Sequence, residues 1–191
     1  VTRVRVTLNG IIHTCFNDLD IMLVAPSGQS LVLMSDVGGC NGIGNATNLT
    51  FDDLAPATLS PASTPPTAFS SRPVNNAPGD PFPAPAPVPS GATNLSAFQG
   101  IDPNGDWKLY IVDDQTGDMG SMRDGWTLDL VTTTQVCNTS PMTPSSGGAA
   151  ARLRTSSLTS WPAHADGSAA RWRAPSAPPS GCAATASRSS I

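Results

Sequence analysis

Asp102-Pro103-Asn104-Gly105-Asp106-Trp107-Lys108-Leu109-Tyr110-Ile111-Val112-Asp113-Asp114 is the stretch whose reading decides the fold. It opens on turn residues, Asp-Pro-Asn-Gly. Trp107, Leu109 and Ile111 then recur at period two, which predicts a strand with one buried face. After an Asp/Gly-bearing loop the pattern repeats in Trp126-Thr127-Leu128-Asp129-Leu130-Val131, where Trp126, Leu128 and Leu130 share a face. Two Trp-led strands around an acidic loop read as the last hairpin of a sandwich.

Working outward, Val4, Val6 and Leu8 alternate with Arg3, Arg5 and Thr7 and predict a half-buried strand. Leu19-Asp20-Ile21-Met22-Leu23-Val24 and Leu31-Val32-Leu33-Met34 flank a turn at Ala25-Pro26-Ser27-Gly28 and read as a hairpin. Both runs are apolar on both faces, so the hairpin is expected in the middle of a sheet. Leu49-Thr50-Phe51 is a further short strand. Residues 55–93 are rich in Pro, Ser and Ala and read as a stiff surface loop, densest at Pro81-Phe82-Pro83-Ala84-Pro85-Ala86-Pro87. Asp80 in that loop is expected to stand apart from any site.

Composition agrees with an all-β domain. The 191 residues include 17 Gly and 19 Pro, the punctuation of short strands joined by many turns. All 14 acidic residues are Asp, a turn and cap former, and Glu is absent. Residues 1–135 carry 13 Asp against five basic residues and offer no basic stripe to a nucleic acid. No run of about 18 apolar residues predicts a membrane span, so neither nucleic acid nor membrane is an expected partner. Residues 135–191 turn to Ser, Ala, Pro, Thr and Arg without period. They read as a low-complexity, disordered tail or linker, or as a shifted reading frame, outside a sandwich domain spanning 1–134.

A series of motifs runs along the chain: His13-Thr14, Asp18-Leu19-Asp20-Ile21, Leu23-Val24-Ala25-Pro26-Ser27-Gly28 and Ser35-Asp36-Val37-Gly38-Gly39. Leu49-Thr50-Phe51-Asp52-Asp53, Phe82-Pro83-Ala84-Pro85-Ala86-Pro87 and Leu95-Ser96-Ala97-Phe98 follow. The series closes on Asp102–Trp107, Leu109–Asp114, Gly117-Asp118, Gly120-Ser121 and Gly125-Trp126-Thr127-Leu128. In this order the motifs resemble the bacterial type of P domain (P/Homo B) of subtilisin-like proprotein convertases. The resemblance covers residues 1–132. It implies a jelly-roll β-sandwich of about eight strands, with one or more opening strands of the family pattern absent before Val1. It further implies a secreted, extracellular accessory module. Such a module stabilises or positions an adjacent catalytic or other extracellular domain of the same polypeptide, a subtilisin-like serine protease in the type case.

The residues themselves assemble no active site. His13 lies beside the first strand, His164 lies in the tail, and no G-x-S-x-G elbow occurs. The chain is therefore expected not to be an enzyme. Asp18 and Asp20 stand two apart at a strand start, and Asp113, Asp114 and Asp118 lie in a Gly-bearing loop. These five are the candidate calcium ligands, because Ca²⁺ takes six to eight hard oxygens; turn capping is the other reading of the same residues. A calcium-dependent carbohydrate-binding or adhesion jelly roll is the alternative function. Cys15 and Cys40 share a loop-rich region and are either a disulfide or two free thiols. Asn45, Asn48, Asn94 and Asn138 stand in glycosylation sequons.

Overall fold

The computed structural model describes residues 1–40, 46–136, 151–152, 166–172 and 183–190. They form two sheets. The first holds β1 (Arg3–His13), β4 (Thr47–Phe51), β5 (Ala68–Ser71), β8 (Gly120–Met122), β9 (Trp126–Val136), β10 (Ala151–Arg152) and β12 (Ala183–Ser190). Its order is β10-β12-β9-β1-β4-β5, with β8 also on β1. The second holds β2 (Leu19–Val24), β3 (Ser30–Ser35), β6 (Val74–Asn75), β7 (Gly105–Asp113) and β11 (Asp166–Trp172), in the order β11-β7-β2-β3-β6. The fold is an all-β sandwich.

One core lies between the sheets. Val4, Val6 and Leu8 of β1 and Trp126, Leu128 and Leu130 of β9 meet Leu19, Ile21 and Leu23 of β2 and Trp107, Leu109 and Ile111 of β7. The period-two alternation is thus realised, and β1 alternates buried with partly exposed residues over Val4–Leu8. The β2–β3 pair is antiparallel, with Leu23 opposite Leu31, and β2 lies inside its sheet between β7 and β3. On the solvent face of β1, Arg3 and Arg5 form ion pairs to Asp52 and Asp129, each at 2.6 Å.

Two expectations are corrected. The Trp-led strands are not a hairpin: β7 pairs with β2 over Leu19–Val24, whereas β9 pairs with β1 over Arg3–Leu8. The loop between them arches across the sandwich, because β1 and β2 each offer a long free ladder and the sheets lie only about 10 Å apart. The Pro-rich segment is also less uniform than its composition suggests. It contributes β5 and β6, both in parallel pairings, to β4 and β3. Within residues 135–191, β11 pairs with β7 and β12 with β9. Ladder hydrogen bonds use backbone groups, so such pairing needs no apolar period. Cys137, Cys182, His164, Asn45 and Asn138 lie outside the described residues.

Cys15 and Cys40 are joined as a disulfide. It ties the 3₁₀ turn Phe16–Asp18 to the loop after β3. Gly38 is required there: its φ is +97°, and a Cβ would stand 2.5 Å from Cβ of Phe16.

Among the residues whose burial is described, those of the core fall between Val4 and Leu130. A chain ending at residue 134 is therefore expected to keep a single cooperative thermal transition. Loss of cooperativity on that truncation would show that β11 and β12 are integral to the sandwich.

Candidate metal centre

The antiparallel ladder of β2 with β7 brings distant acids to one end of the sandwich. Leu19 pairs with Asp113 and Asp20 with Val112. The backbone N–H of Asp114 donates to the carbonyl of Asp18 at 3.0 Å. Asp20 shares the outer face of β2 with Met22 and Val24, since side chains alternate along a strand. It is 3% exposed.

The five residues singled out from sequence divide into two groups. Asp20 and Asp114 face Asp80, and one oxygen from each of the three lies within 4.8 Å of the other two. Asp36, directly after β3, adds its charge to this group. Asp36 holds a left-handed backbone (φ 53°), which Asp tolerates better than most residues. Asp18, Asp113 and Asp118 form a second group beside the first. Asp18 hydrogen-bonds Asp118 and senses the charges of Asp114 and Asp113. Asp118 accepts from the Thr14 hydroxyl at 2.6 Å. Asp18 and Asp20, expected to act together, thus face different partners, because Asp18 belongs to the 3₁₀ turn before the strand.

Asp113 is held from beneath by His13, which is fully buried. His13 Nε2 lies 3.2 Å from Oδ2 of Asp113, and Nδ1 lies 2.5 Å from the Cys15 carbonyl oxygen and 3.2 Å from the Cys15 nitrogen. Gly120 is necessary beside this ring, because a Cβ there would collide with the His13 imidazole and the Ile12 carbonyl. The pairing of β8 with β1, His13 opposite Gly120, sets that contact.

Asp80 is a correction. It belongs to the centre, although its place in the Pro-rich loop argued against that. Asp36, Asp80 and Ser35 are the functional candidates that sequence reasoning missed. A signal existed for Asp80, which is the lone acid of residues 55–93 and heads a run with Pro at every second position.

The first group lacks enough donors. The Ser35 hydroxyl lies 3.0 Å from Asp36 and 3.2 Å from Asp80, and Asp20 is also a hydrogen-bonding neighbour. One O–H cannot serve three carboxylates. Oδ2 of Asp20 is buried and has no partner. The Arg3–Asp52 and Arg5–Asp129 ion pairs and the His13–Asp113 contact do not reach this group. A buried carboxylate with an orphaned oxygen, beside two further carboxylates, fits a hard divalent cation: the donors are all oxygen and come from three separate segments.

The electrostatics follow from this crowding. Burial pushes the Asp20 carboxyl up to about 7, and the charges of Asp80, Asp114 and Asp36 add to the rise against the opposing Ser35 hydrogen bond. Burial pushes Asp18 up to about 6, with the hydrogen bond and charge of Asp118 adding to it. Asp114 is raised by burial and by Asp80, Asp36 and Asp113. Compared with protein-family models, with curated proteins and with solved structures, the chain finds no match.

These shifts fix a sign. Without a cation, the folded state keeps a proton on Asp20 at pH values where the unfolded chain has lost it, and Asp18 acts alike. The folded state then binds more protons than the unfolded state, so stability falls with rising pH. In chelator, denaturant unfolding is expected to show stability lost between about pH 4 and about pH 7. Asp20→Asn, which has no carboxylate to deprotonate, should flatten much of that slope. A wild-type slope equal to that of Asp20→Asn would refute the assignment.

Proposed function

We propose that this chain is a non-catalytic, calcium-stabilised β-sandwich module of a secreted protein, of the P-domain kind, which stabilises or positions an adjacent subtilisin-like catalytic domain. The observation that carries the calcium reading is the buried carboxylate of Asp20, whose Oδ2 has no partner and of which one oxygen lies within 4.8 Å of an oxygen of Asp80 and one of Asp114. The resemblance carries the module reading. In its support, the residues that define the motif pattern have structural work at one end of the sandwich. His13 packs on Gly120, Thr14 bonds Asp118, and Gly38 clears Phe16. The Cys15–Cys40 disulfide suits an oxidising compartment. A carbohydrate-binding module calls for exposed aromatic platforms, whereas Trp107 and Trp126 are both buried.

Within the centre, Asp20, Asp80 and Asp114 would hold the cation, with Asp36 and Ser35 beside it. Bound Ca²⁺ would supply positive charge to a group that Arg3 and Arg5, paired with Asp52 and Asp129, do not reach. Asp20 orients from a strand, so its carboxylate is fixed by the sheet, while Asp80 and Asp114 come from loops that close on it. Burial excludes competing water from Asp20, and the deprotonated carboxylate is the form that binds.

Millimolar Ca²⁺ is expected to raise the melting temperature and chelator to lower it. A hundredfold excess over the dissociation constant corresponds to about 2.7 kcal/mol. Asp20→Ala, Asp80→Ala and Asp114→Ala should each blunt the response. Asp102→Asn, on an exposed turn beside the amino terminus, should leave it intact. No binding heat in calorimetry and an unchanged melting temperature would leave the acids as turn formers. The isolated chain is also expected to hydrolyse neither casein nor peptides. Sustained peptidase activity abolished by His13→Ala would overturn the non-catalytic reading.

A further inference from the structure

The outer face of the second sheet carries more than the acidic group. Below Asp20 on β2 stand Met22 and Val24, and opposite Met22 on β7 stands Tyr110. These three form a separate apolar cluster on the side away from the core, and all are buried. Their cover is the segment 80–90, through Phe82 and Ala86. The same segment begins with Asp80, a member of the acidic group. One strap therefore spans both the candidate cation site and the apolar row beneath it.

The strap is stiff and weakly held. Pro occupies positions 81, 83, 85, 87 and 89, so those residues have no N–H to join a ladder and φ is fixed at each. Its far end is fastened to the start of β3. Ser90 N–H donates to the Ser30 hydroxyl at 2.9 Å, and Gln29 Nε2 donates to Ser90 Oγ at 2.8 Å. Its middle offers one long hydrogen bond, Tyr110 Oη to the Pro85 carbonyl at 3.4 Å. An open groove lined by Val24, Pro26, Pro85, Pro87, Lys108 and Tyr110 runs alongside. At the near end, Asp80 shares the single Ser35 proton with Asp36 and faces the carboxylates of Asp20 and Asp114. Without a cation this end meets repulsion; with one, it becomes a ligand.

We propose that segment 80–90 is a cation-latched cover. A divalent cation on Asp20, Asp80 and Asp114 holds the strap down over Met22, Val24 and Tyr110, and loss of the cation frees its Asp80 end and uncovers that apolar row. The inference rests on the calcium reading given above and adds what the site controls. Because the strap is fastened at Ser90 and stiffened by alternate prolines, it swings as a unit and need not unravel. Trp107 and Trp126 stay in the core on the other face of the sheet.

Tyr110 is the single tyrosine of the chain and 2% exposed, which gives a residue-specific readout. Nitration of Tyr110 by tetranitromethane, followed by mass spectrometry, is measured in chelator and in Ca²⁺, with calorimetry on the same samples and tryptophan emission reporting the fold. If opening requires release of the cation, calcium at a hundredfold excess over its dissociation constant should slow nitration about a hundredfold. In Asp80→Asn and Asp114→Asn, the rate at which Tyr110 reacts should no longer change with calcium, while tryptophan emission stays native. Calcium binding with an unchanged Tyr110 rate would overturn the latch and leave the calcium reading standing. Absence of binding would overturn both. Calcium protection persisting in both variants would show that the acidic group does not govern the strap.

Discussion

Every residue of β2 is buried, so the strand needs a cover on each of its two faces. The inner face presents Leu19, Ile21 and Leu23 to the core and is covered by the opposing sheet. The outer face presents Asp20, Met22 and Val24, and no third sheet is available for it. A segment too rich in proline to build a ladder supplies the missing cover through two side chains, Phe82 and Ala86. The rest of the second sheet follows from the strand so enclosed: β3 and β7 pair with its two edges.

Placing Asp20 in that row has an electrostatic consequence. A carboxylate taken from water demands hydrogen bonds, an opposite charge or a proton. Its neighbours are further acids and one hydroxyl, so the available remedies are a proton on Asp20 or a cation between the carboxylates. The contributing segments are far apart in the chain: Asp20 on β2, Asp80 on the strap and Asp114 after β7. A shared ion thus closes long loops, where a cross-link restricts the unfolded chain most. The Cys15–Cys40 disulfide closes a loop with a sequence separation of 25 at the same end.

Much of the sandwich was legible from apolar period alone. The faces of β1, β7 and β9 could be assigned because each is buried on one side and strict alternation results. The double burial of β2 and β3 was legible for the same reason, as unbroken apolar runs. What period two cannot encode is which strands neighbour each other. The Trp-led strands look like a hairpin by proximity in sequence, yet they sit in opposite sheets. Four of the five acids chosen from sequence lie at or beside strand ends that the β2–β7 ladder brings together, and Asp118 is tied there through Thr14, directly after β1. Asp80 was hidden because a proline-rich loop has no ladder, so its course depends on what it covers and not on a register.

The two ends of the sandwich are held by different forces. At the end opposite the acids, backbone groups carry the load. The amino terminus donates to the Ile101 carbonyl at 2.9 Å, Gly100 N–H donates to the Val1 carbonyl at 2.8 Å, and the Trp107 indole donates to the Pro103 carbonyl at 3.0 Å. At the acidic end, the fastenings are a disulfide, a buried His13–Asp113 contact, carboxyls raised toward neutral pH, and the candidate cation site. The disulfide, the raised carboxyls and the candidate cation site depend on the surrounding medium, through redox poise, pH or calcium. The core between Val4 and Leu130 depends on none of them, because it is apolar throughout. Changes in the medium therefore act on one end of the module and on the strap that begins there, while the apolar core of the sandwich stays packed.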